Sequence, residues 1–158
     1  MPSQLSLASR QSNLFLQEQM SMDIQYAEAR SLVKTAIAIA NKDNLAVSVA
    51  VVDSHGDLVA YGRMDGATVQ SGVLAKAKAY TAARERIPSS ELGKWAQKTG
   101  KDMGYWVDPE ITGMAGGVPI LANKQVIGGM GASGLSEEND EQLVQKAIAA
   151  FNSNFIDT

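Results

Sequence analysis

The spacing of apolar positions changes several times along this chain, and each change marks an element. From Ser21 to Asn44, apolar residues fall at Ile24, Ala27, Val33, Ala36, Ile37 and Ala40, the three-and-four spacing of one helical face. The stretch LAVSVAVVD, Leu45 to Asp53, then a turn cluster ending at Asp57, then LVAYGR, Leu58 to Arg63, reads as two β-branched runs across a Gly-containing turn and predicts a hairpin. Beyond it, Val69, Gly72, Val73, Lys76, Ala77, Tyr80, Ala83 and Arg84 share one side of a predicted helix, with Thr68 at its N-cap, Lys78 off the stripe and Pro88 closing it.

A shorter helix capped by Ser89 or Ser90 follows, and then KDMGYWVDPEITGMAGG, which is punctuated by Gly and Pro and has no period. Aperiodic stretches this long inside a domain are uncommon and often functional, so it is a lid or rim candidate. VPILAN and QVIGGMGA flank a turn at Asn123-Lys124 and predict a second hairpin. A last helix from about Glu137 turns Leu143, Val144, Ala147, Ile148 and Phe151 inward. The order α-β-β-α-α-β-β-α, with helices separated by hairpins, predicts an α+β domain: an antiparallel sheet of about five strands flanked by helices. Residues 21–158 form this single domain. Residues 1–20 are expected to be an N-terminal arm, an extra helix packing Leu14 and Phe15 on a neighbour, or a partly disordered leader.

Composition narrows the chemistry. With 158 residues, 45% of them apolar, the chain can bury the core of one domain without staples. It has no cysteine, which removes disulfides, thiolate metal sites and Cys nucleophiles and makes the cytoplasm the simplest location. The net charge of -3 and the lack of a basic run interleaved with aromatics argue against nucleic acid. No apolar h-region opens the chain and no segment is long and apolar enough for a bilayer, so neither export nor membrane insertion is expected.

The run VIGGMGASG contains Gly129, Gly131 and Gly134 in the order G-x-G-x-x-G. A dinucleotide site of that form needs a second parallel strand after the helix and a helix N-terminus free for a pyrophosphate. No strand-like run follows, and Glu137, Glu138, Asp140 and Glu141 crowd the first turn with negative charge behind Ser136, the expected N-cap. Gly128, Gly129 and Gly131 instead read as a strand kept bare for the close approach of a helix, a partner subunit or a ligand.

Three motifs, AVSVAVVDSHGDLVAYGRMDGA, then AKAKAYTAARERIPSSELG, then GGVPILANKQVIGGMGASGLSEENDEQLVQKAIAA, together resemble the GlcG/HbpS-like family, which includes the C-terminal domain of PduO-type proteins. The resemblance covers roughly Ile24 to Phe151, although Lys94 to Met114 carries no motif of the family. It implies an α+β fold, homo-oligomers (often dimers assembled into octamers), and haem or a related tetrapyrrole as ligand in several members. Haem degradation is proposed for some members, and others have no settled chemistry.

The candidate site residues follow from both readings. His55 is the only histidine. It is a turn residue first and a haem-ligand candidate second, and without His or carboxylate companions at ligand spacing it makes no metal site. Arg63 can fork a carboxylate or propionate, and Asp65 can hold loop N–H groups beside Gly66. Gly116, Gly117 and Ser133 can present polar groups to a small ligand. Lys76 and Tyr80, on the side of their helix expected to face inward, are the acid/base candidates. The expected function is binding of a small organic ligand, haem or a related tetrapyrrole among the candidates. The alternative is a cofactor-free isomerase or lyase acting on a small carboxylate or carbonyl compound, with Lys76 or Tyr80 as acid/base and Arg63 as anchor.

Overall fold

The computed structural model describes residues 7–14 and 23–156. Helix α1 spans 7–14 and leaves Leu7 and Leu14 exposed; Phe15 lies outside the described residues. Then come α2 (Tyr26–Lys42), β1 (Ser48–Asp53), β2 (Leu58–Arg63), α3 (Val69–Glu85), α4 (Ser89–Thr99), a single 3-10 turn (Met103–Trp106), β3 (Gly117–Ala122), β4 (Gln125–Ser133) and α5 (Glu137–Ile156). The strands form one antiparallel sheet in the order β2-β1-β4-β3. The α+β class and the element order are those expected, but the described residues hold four strands, not about five. The Gly- and Pro-punctuated stretch before β3 joins no ladder.

Both faces of the sheet are covered, which explains why β1 is apolar without alternation. Val49, Val51, Met130 and Ala132 point to a core shared with Leu32, Val33 and Ala36 of α2 and Leu143, Val144 and Ala147 of α5. Ala50 and Val52 point the other way, onto Ala75, Ala79 and Ala83 of α3. The α5 face is the expected one; in α2 the inner set also takes Ala29 and Leu32, while Ala27 is exposed.

The expected face of α3 is fully buried only at Gly72 and Ala83. Val69 and Val73 are 73% and 52% exposed, and Lys76 is exposed. The buried side is Ser71, Gly72, Ala75, Lys78, Ala79, Thr81, Ala82 and Ala83. Size, not hydropathy, selects it: a Cβ on Gly131 would strike the Ala75 carbonyl oxygen, and one on Gly129 the Ala79 carbonyl oxygen. What lies against the strand at Gly129 and Gly131 is therefore the backbone of α3, and only small residues let it come that close, whereas a Cβ on Gly128 would meet the Val52 carbonyl oxygen and Ile24.

Local chemistry sets the joints. Thr68 caps α3 by accepting the Ser71 N–H at 3.2 Å, and Ser136 caps α5 by accepting the Asn139 N–H at 3.2 Å. Asn123 and Lys124 both have left-handed backbone, φ 50 and 64, the conformation a two-residue hairpin turn requires. Ser89 does not cap α4. Its buried hydroxyl donates to the Met114 carbonyl at 2.7 Å and accepts the Gly117 N–H at 2.9 Å, fastening the start of β3. Among the described residues no helix is long and apolar enough to cross a membrane.

Candidate functional site

Because β1 and β4 are antiparallel neighbours with Asp53 opposite Gly128, the two hairpin turns stand at the same end of the sheet. Asp53 builds the first turn: its carboxylate accepts the N–H groups of His55 at 2.9 Å and Asp57 at 3.0 Å. Asp23 secures it from outside by accepting the Ser54 N–H at 2.7 Å, and the Arg84 guanidinium donates to the His55 carbonyl at 3.0 Å. Ile24 N–H donates to the Ile127 carbonyl at 2.9 Å, bringing the Asp23 strand of chain to the same place.

Between the turns lies a cleft of about 860 Å³. His55 enters it from the first turn and Lys124 from the second, while Arg86 arrives at the left-handed C-cap of α3, φ 60. Asp23, Leu121 and Val126 form further parts of its wall. Local sequence gave no sign of Arg86 or Lys124 here, because their meeting depends on the strand order.

A second cleft, about 410 Å³, holds Lys76 and Tyr80 together with Asp57, Pro109 and Glu110. The Lys76 ammonium lies 5.2 Å from the centre of the Tyr61 ring, a cation–π contact. Tyr80 donates its phenol proton to Asp108 at 2.7 Å, and Arg84 stands over its ring at 5.1 Å. That hydrogen bond, then burial, then the charge of Asp108 hold the phenol above its ordinary 10.0, with Arg84 pulling the other way.

A pH dependence follows. The folded-state value is raised, so the stabilisation from this contact is fully present below pH 10.0 and is lost as pH rises through the folded value. The difference between phenolate absorbance titrations of wild type and Tyr80→Phe should show one group ionising above 10.0, and Asp108→Ala should bring it down. A group titrating at the ordinary value would mean that Tyr80 does not donate to Asp108.

The other expected site residues lie elsewhere. Arg63 and Asp65 are exposed at the far end of β2, the end where Ser48 pairs with both Arg63 and Ser133. Ser133 is buried there, 5% exposed. Gly116 and Gly117 are buried inside the fold, where a Cβ on Gly116 would come within 3.0 Å of Asp140 Cβ and Lys78 Cδ. Arg63, Lys76, Tyr80, Gly117 and Ser133 therefore do not line one cleft; only Lys76 and Tyr80 share one. The buried lysine is Lys78, paired with Asp140 at 2.9 Å, and the three-and-four pattern of alanines around it was the signal that could have found it. Among the described residues no group of three or more His, Cys, Asp and Glu could hold a metal ion.

Comparison with known proteins places this geometry in a family. A family model described as haem degrading protein HbpS-like matches residues 24–149. The corrinoid adenosyltransferase PduO of Salmonella typhimurium is 30% identical over 131 residues, 82% of this chain but only 39% of PduO, so the chain spans about two fifths of that protein's length. The crystal structure of a double mutant of Streptomyces reticuli HbpS superposes with a TM-score of 0.75 at 33% identity, covering 81% of this chain and 86% of that one. The crystal structure of a PduOC:heme complex does so with a TM-score of 0.74 at 30% identity, covering 81% and 94%.

Proposed function

The chain belongs to the HbpS-like family, and on that premise we propose that it binds a small organic ligand, haem or a related tetrapyrrole, in the cleft between the two hairpin turns. The observation that carries this reading is that the only histidine of the sequence shares that cleft with two cations. The donor set fits both chemical ends of the group. The His55 imidazole is of the type that would bind haem iron. Arg86 and Lys124 can pair with propionates, and Leu121 and Val126 supply apolar contact for the ring. The relative solved as a heme complex supports the ligand class.

Titration with haemin is expected to give a saturable Soret shift. His55→Ala should remove the imidazole-ligated spectrum, and Arg86→Gln with Lys124→Gln should weaken binding severalfold at low ionic strength and less at high, as expected of exposed charge pairs. An unmoved Soret band in wild type would discard the tetrapyrrole; an unchanged spectrum in His55→Ala would discard its assignment to this cleft.

The catalytic alternative, an isomerase or lyase, draws on the sharing of the smaller cleft by Lys76 and Tyr80. There the phenol is held protonated and donates to Asp108, a hydrogen-bond donor and not a base. Arg63 does not line this cleft, so a substrate carboxylate would depend on Lys76. Ligand binding is the reading the geometry supports best.

A further inference from the structure

The segment from Lys94 to Met114, which carries none of the family's motifs, builds a third cleft that the haem reading does not use. It is about 560 Å³ in volume and lies between α4 and the 3-10 turn, walled by Ile87, Leu92, Trp95 and Trp106. These are the only two tryptophans of the sequence, set edge to face with ring centroids 5.1 Å apart, and Trp95 is 42% exposed. Aromatic rings placed in this way are surfaces that a flat apolar ring can recognise.

The walls are held from behind. Gly93 of α4 sits so close to Gly113 that a Cβ on it would strike the Gly113 carbonyl oxygen. Thr112 N–H donates to the Thr81 hydroxyl at 2.9 Å, Ile111 is buried, and Ser89 holds the Met114 carbonyl. The aperiodic stretch, a lid or rim candidate by sequence, is thus pinned to α3 and α4 at residues 111–114, and the groove is formed before any ligand arrives.

Charge decides the ligand class. Lys94, Lys98, Glu85 and Glu91 stand on the rim, but Glu91 is taken by Lys94 at 2.9 Å. A further cation, Lys101, lies over the Trp95 ring at 5.2 Å and the Tyr105 ring at 5.8 Å. Two lysines stand against two glutamates in the lining itself, and with Glu91 spent on Lys94 no ion pair among the described residues engages Lys98, or Lys101 beside the cleft. We propose that this groove is a second binding site, separate from the His55 cleft, for a small planar aromatic carboxylate, its ring against Trp95 and Trp106 and its carboxylate on Lys98.

The probe is 2-naphthoate, followed by calorimetry on the full chain, with the neutral 2-naphthalenemethanol as the charge control. Naphthoate should bind saturably and more tightly than the alcohol. Lys98→Glu, a change of an exposed side chain, should weaken naphthoate several-fold and leave the alcohol unchanged. Trp95→Ala should weaken both, by about tenfold, and His55→Ala should change neither. Absence of naphthoate binding, equal binding of acid and alcohol, or affinity unmoved by both Trp95→Ala and Lys98→Glu would each overturn the proposal. Loss of binding in His55→Ala would do so as well, by moving the site to the other cleft.

Discussion

Replacing Lys78 with methionine is expected to cost about 3–5 kcal/mol of folding stability, the range for removing one partner of a buried ion pair, read as a fall in the urea midpoint with an unchanged slope. The lysine ammonium lies 2.9 Å from Asp140 and 3.1 Å from the Ala132 carbonyl oxygen, and both side chains are almost wholly inaccessible. The pair joins α3, on one face of the sheet, to α5, on the other. The lysine stem passes Gly131 and Gly116, where the absence of a side chain leaves it room. Without the ammonium, Asp140 keeps, among the described residues, only the Leu135 N–H at 3.0 Å and carries an uncompensated buried charge.

The energetic logic is that such a pair gives little net stability yet is costly to break. Lys78→Met combined with Asp140→Leu should therefore recover much of the loss, short of the bond to Leu135 N–H, worth about 1 kcal/mol. A single variant within about 1 kcal/mol of wild type, or a double variant no better than the sum of the singles, would show that the two charges are not coupled.

Lys78 also marks the limit of what local pattern conveys. The hairpins, the Asn123-Lys124 turn, the caps at Thr68 and Ser136 and the inner face of α5 were legible because each is fixed within a few residues. The face of α3 was not. A hydropathy reading prefers Val69 and Val73 to Ala75 and Ala79, yet the small residues are the buried ones. The deciding information is a match between distant segments, alanines on the helix against glycines on β4, and a lysine among alanines that answers an aspartate 62 positions later.

The same limit applies to the site. His55 was legible as a turn residue and as the lone imidazole, but Arg86 and Lys124 join it only because the strand order brings two turns and a helix end together. The stretch after α4 has no period because its order comes from contacts with α3 and α4. A sequence scan sees the Gly and Pro and not the partners.

The bare strand yields the second large effect. Gly131→Ala is expected to destabilise by about 3 kcal/mol, the upper end of the usual cost of overpacking a closely packed interior. Its Cβ would strike the Ala75 carbonyl oxygen, approach Ala79 N at 2.6 Å and press on Lys78 Cβ at 3.1 Å. Gly100→Ala gives the contrast. Nothing lies within 4 Å of that Cβ, but φ is +71, so the cost is confined to the left-handed backbone, about 1–2 kcal/mol. Gly131 sits on ordinary strand backbone, so its cost is contact alone. The obstructing atoms at Ala75 and Ala79 are main-chain atoms, so cutting those side chains back to glycine cannot relieve the clash, and Gly131→Ala with Ala75→Gly should be no more stable than Gly131→Ala. Were Gly131→Ala as stable as wild type in urea, α3 would not be seated on the strand, and the glycines would have to be explained by a ligand or a partner subunit.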